Sequence, residues 1–77
     1  MANSLSKEGC QKHYDWLIQT SNSYFVEIAK SSTEYAKIYS TNYSIAATNF
    51  YTECLKEDVF LEHQFTDIQK FEIKKAA

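Results

Sequence analysis

Cys10 and His13 stand as C-x-x-H, half of the ligand set of a structural zinc site. The only other cysteine and histidine, Cys54 and His63, are nine positions apart. Four ligands from these places have to converge through the fold, because their spacing does not bring them together. His63 and Asp67 lie four apart, which on a helix would make a base with its orienting carboxylate, or a hydrogen-bonded surface pair. Glu53, Glu57, Asp58 and Glu62 form a carboxylate-rich run without the Glu-x-x-His element of helical di-iron sites. It reads as a solvated acidic face. Nucleophilic catalysis finds no Gly-x-Ser-x-Gly turn, and Gly9 is the only glycine, so no glycine loop aims amides at an oxyanion or a phosphate. A non-enzymatic protein without metal or cofactor is expected.

The elements that would hold these residues are helical. The chain has no proline, and beyond Gly9 nothing punctuates it as hairpins or βα loops require. Positions 14, 18, 21, 25, 28, 32, 35 and 39 step by four and three, one face of a helix. From Tyr39 a looser stripe runs through Tyr43, Ala46, Phe50, Cys54 and Glu57 to Leu61, Phe65 and Ile68. On this stripe Cys54 is a small core residue, whereas Cys10 falls in a fraying start, and the sequence leaves open whether the two meet. Ser31-Ser32-Thr33-Glu34 reads as a capping box, with the polar cluster Thr20-Ser21-Asn22-Ser23 as a competing turn. Asp58 is the candidate N-cap of a last helix. The reading is helices over 9–30, 33–56 and 59–75, with residues 1–8 a frayed segment and 9–77 one helical domain. The expected fold class is all-α, a small helical bundle or long helical hairpin of about three helices.

Seventy-seven residues leave room for one core, and a core this small yields only about 3–5 kcal/mol, so self-association into a homo-oligomer is expected. All eight basic residues are lysines, scattered among acids, and the net charge is −2. Without arginine or a basic stripe, direct nucleic-acid binding is not expected. The longest apolar runs, such as 16–18 and 59–61, are three residues, far short of the ~20 of a membrane span. The polar start lacks the apolar region of a signal peptide, and two unpaired-looking cysteines fit a reducing cytoplasm, so a cytoplasmic protein is expected.

Six tyrosines, five phenylalanines and one tryptophan are more than a domain this size hides. Tyr35, Tyr39 and Tyr43 recur every four residues, and Tyr35 and Tyr39 are expected inside the bundle. Trp16, Tyr24, Tyr43, Tyr51 and Phe60 supply the candidate partner-binding residues, since such rings bring large apolar area with few rotors. The function expected is protein–protein binding, as an adaptor, assembly factor or phage-type inhibitor. The segments EIAKSSTEYAK (27–37) and SIAATNFYTECLK (44–56), with their alternating acids, lysines, alanines and aromatics, loosely resemble phasins, helical proteins that coat polyester storage granules. That resemblance implies an alternative partner, a granule or lipid surface covered by amphipathic helices.

Overall fold

A computed structural model describes residues 6–31 and 34–76 of the chain. Two long helices, α1 (Lys7–Ser31) and α2 (Glu34–Lys56), form an antiparallel hairpin; a non-helical strap over 57–66 returns along it and leads into a short α3 (Asp67–Ala76). The fold is all-α, as expected. Its radius of gyration is 13.9 Å, against about 11.5 Å for a compact chain of this length. With Cα extents of 45 × 25 × 14 Å, it is a slab about two layers thick. Such a slab has little interior in which to hide rings.

The helix ends follow from local chemistry. Ser6 caps α1, its Oγ accepting from Gly9 N at 3.0 Å. At the far end of α2, Val59 N donates to Cys54 O at 2.8 Å and Asp58 N to Leu55 O at 3.0 Å. With Asp58 at φ 62° this is a Schellman stop. Asp58 therefore ends α2 rather than starting a third helix. The expected cap at Ser31–Glu34 rests partly on Ser32 and Thr33, outside the described residues.

The interface between α1 and α2 is a stripe of small residues. On α2, Ala36, Ser40, Ser44, Ala47 and Cys54 are buried at helical spacing. The expected stripe through Tyr43, Ala46 and Phe50 lies beside it and is only half-buried. Small side chains allow close approach, and Ser21 and Ser40 use it to bond each other's carbonyl oxygens. The cluster Thr20–Ser23 thus lies inside α1 rather than at a turn, and its Ser21 bonds across to α2. Apolar weight comes from Tyr14, Leu17, Ile18 and Leu61, all buried and each contributing about 1.5–3 kcal/mol. Cys10 is also buried in this cluster, where a frayed position was expected. The helix starts at Lys7, early enough to turn its thiol inward.

The strap corrects the expected helix over 59–75. Its backbone takes partners from the side chains of α1. Gln11 Oε1 accepts from Glu62 N at 2.8 Å while its Nε2 donates to Glu62 O at 3.3 Å. Tyr14 repeats the pattern two strap residues on, its hydroxyl donating to Gln64 O and accepting from Gln64 N, both at 2.9 Å. A neighbouring strand would satisfy alternate residues in the same way. The start of α3 is a capping box: Thr66 Oγ1 accepts from Gln69 N, and Gln69 Oε1 accepts from Thr66 N. Thr66 is fully buried, and its hydroxyl also bonds Ser44 Oγ at 2.8 Å. From α1, Asn22 Oδ1 accepts from Asp67 N at 2.7 Å. Both helices of the hairpin therefore hold the point where the strap becomes helix.

Candidate functional site

The residues that first suggested chemistry separate in space. Cys10 turns into the core, while His13 lies exposed against Phe50, ring centroids 4.7 Å apart. His63 sits on the strap between Tyr51 and Phe65, so the helical His63–Asp67 pairing does not form. Glu53, Glu57, Asp58 and Glu62 are exposed, and Glu53 pairs with Lys56 at 3.2 Å. Among the described residues, no three His, Cys, Asp or Glu side chains come together as a metal site. A groove of about 500 Å³ between α2 and α3 is lined by Ile45, Phe65, Ile68 and Ile73, with Glu72 its one charged residue.

What the fold does assemble is a row of rings along the hairpin. From Phe50 it passes to His13, to Trp16 (6.0 Å, stacked), to Tyr43 (5.8 Å, edge-on), to Tyr24 (5.8 Å, stacked) and to Tyr39 (5.3 Å, tilted). Helix α1 supplies three of these rings and α2 the other three, interleaved across the seam. At 100° per residue, His13, Trp16 and Tyr24 centre on the side of α1 opposite Gln11, Tyr14, Asp15 and Asn22. Those four residues hold the strap and α3. One face of the hairpin is thus covered, and the other carries the ladder.

Offset and edge-on contacts of this kind contribute about 0.5–1.5 kcal/mol each beyond their buried area. They also fix the rings relative to one another. The seam side of Tyr43 and Phe50 packs on the core cluster, so the row is anchored from below. Its outer edge is open: Trp16 is 52% exposed and Tyr39 44%.

Of the five residues expected to bind a partner, Trp16, Tyr24 and Tyr43 meet in this ladder. Tyr51 does not; it belongs to a second group under the strap, with Tyr14 at 5.7 Å and His63 at 4.9 Å. Phe60 is 62% exposed on the strap, away from the row. The expectation that Tyr35 and Tyr39 pack inside is overturned: Tyr35 is 73% exposed and Tyr39 lies at the ladder's outer end. The chain reverses between α1 and α2, so the face counted through residues 28 to 39 does not continue as one. His13, Tyr39 and Phe50 are ladder residues that the sequence reading left out. The spacing 39-43-46-50, a stripe beside the small-residue stripe, was the available signal.

Among the described residues, no helix is long and apolar enough to cross a membrane. No protein-family model, curated protein or solved structure matches the chain.

Proposed function

We propose that the protein works by binding another protein through the aromatic ladder, as an adaptor, assembly factor or inhibitor that occludes its partner's surface. The observation that carries this reading is the position of Trp16. It is half exposed at the middle of a row of rings whose geometry is already set, so little side-chain freedom remains to be lost on docking. Tryptophan and tyrosine anchors of this kind concentrate binding energy. Exposed carboxylates such as Glu53 and Glu57 would set orientation and on-rate more than affinity. A second copy of the chain would serve equally as that partner, the rings then meeting across a symmetry axis.

A granule or lipid surface is the second reading. Ile45, Phe65 and Ile73, each about half exposed around the α2–α3 groove, favour it.

Tagged full-length protein and its Trp16→Ala variant, each incubated with native lysate, separate the two. A stoichiometric soluble partner held by the parent chain and lost from a folded Trp16→Ala variant supports the ladder. Because Trp16 is the only tryptophan, its emission should shift to shorter wavelength when that partner is added. Retention of the partner by Trp16→Ala removes the ladder from the assignment. Recovery mainly with the particulate fraction moves the surface reading ahead.

A further inference from the structure

The chain has two cysteines, far apart in sequence, and the fold brings them to one place. Cys10 lies in the first turns of α1 and Cys54 in the last turn of α2, at the end of the hairpin away from the α1–α2 connection. Both are buried, 5% and 3% exposed, in the same cluster as Tyr14, Leu17 and Leu61. Both are free, and the two thiols share this buried cluster at the same end of the hairpin. The small residues Ala47, Ser44 and Ser40 on the same stripe of α2 keep the helices close, as a disulfide requires.

We propose that Cys10 and Cys54 are a dithiol site, which a low-molecular-weight disulfide such as oxidised glutathione converts to an intramolecular disulfide that locks the open end of the hairpin. One cysteine, after giving its proton to solvent, attacks a sulfur of the small disulfide as thiolate. The small S–S bond breaks, one glutathione leaves as thiolate and takes up a proton, and a mixed disulfide remains on the protein. The second cysteine, deprotonated in turn, attacks the protein sulfur of that mixed disulfide and expels the second glutathione. Two protein thiols are oxidised by two electrons in all, and one small disulfide is reduced to two thiols.

Burial sets the rate. With both cysteines nearly fully buried, the first exchange is slow until α1 opens locally at its start. The one glycine of the chain, Gly9, directly precedes Cys10 and weakens that turn. The bond then joins residues 10 and 54 and closes most of the chain into a loop, which restricts the unfolded state. It also fixes the strap's point of departure, since the Cys54 carbonyl is the acceptor for Val59 N.

The test is to equilibrate the full chain with mixtures of oxidised and reduced glutathione, quench by alkylation, and measure intact mass and urea unfolding. The expected product is a monomer lighter by two hydrogens, with no alkylatable thiol and a higher unfolding midpoint that dithiothreitol reverses. A product that stops at a glutathione adduct, a chain-to-chain cross-link, or two thiols still free at high oxidant would overturn the proposal. An intramolecular disulfide that leaves the midpoint unchanged would overturn the lock.

Discussion

Ser21 and Ser40 exchange hydrogen bonds across the hairpin, each hydroxyl donating to the other residue's carbonyl oxygen, at 2.7 Å from Ser21 and 2.9 Å from Ser40. Both residues are fully buried. A side chain with one hydroxyl on Cβ reaches a neighbouring backbone only if the helices are close, so the pair also serves as a spacer. Ser21→Ala or Ser40→Ala should cost about 1 kcal/mol each for the lost bond. The double variant should show coupling of about 0.5 kcal/mol or more, because the hydroxyls lie 3.4 Å apart. Ser40→Val, although more apolar, should cost about 1–3 kcal/mol by forcing the helices apart. Urea midpoints measure all four, and a stabilised Ser40→Val would refute the close-packing account.

Tyr14→Phe tests the strap. The hydroxyl completes both backbone groups of Gln64, and its loss leaves a donor and an acceptor without their partner. A cost of about 1–3 kcal/mol follows, with little change in packing volume. Amide exchange should separate this from global weakening. Gln64 N–H should exchange faster relative to amides of α1 than in the parent chain; uniform acceleration of both would mean that the strap has no separate tether here.

How far the sequence was legible differs between the parts. Both long helices showed in the period and in the lack of glycine and proline, and the structure ends α2 at Lys56, where the reading ended it. The strap did not show, because Val59, Leu61, Phe65 and Ile68 carry enough apolar spacing to read as helix. Yet Thr66-x-x-Gln69 is a capping box, visible in the sequence, that marks where α3 begins. The inner stripe of α2 was missed by one position for a related reason. Counting large apolar residues follows Tyr43 and Phe50 to the seam's edge, whereas the contact is made by serine and alanine. Three of five candidate binding residues proved to be neighbours; Phe50 shared the stripe of Tyr39 and Tyr43, and only the crossing of the two helices could reveal that His13 joins them.

Asp58 occupies a left-handed position, φ 62°, where a side chain costs about 1–2 kcal/mol and glycine costs almost nothing. Its charge also faces the negative end of the α2 dipole, beside Glu57. Asp58→Asn removes the charge and keeps a residue tolerant of this conformation; Asp58→Gly removes both burdens. After the greater freedom of glycine in the unfolded chain is deducted, Asp58→Gly should still gain about 0.5–1 kcal/mol. Asp58→Asn should fall between it and the parent. A less stable Asp58→Gly would show that the Asp58 side chain makes up for its backbone.

Alkaline pH should weaken the fold through two groups. Burial raises the Tyr14 hydroxyl above its ordinary value, against the opposing hydrogen bond at Gln64. Burial, then the neighbouring Cys10 thiol, raises the Cys54 thiol. In both cases the folded protein holds its proton more tightly than the unfolded chain does. Stability is therefore fully present below the unfolded values, about 8.5 for cysteine and 10 for tyrosine, and is lost as pH rises through the folded ones. Urea midpoints should accordingly fall as pH rises above about 8, the Cys54 contribution first and the Tyr14 contribution from about pH 10 upward. Cys54→Ala should flatten the early part of that fall and Tyr14→Phe the later part, each from a lower starting stability. If both variants kept the parent's slope throughout, neither buried group would be linked to folding.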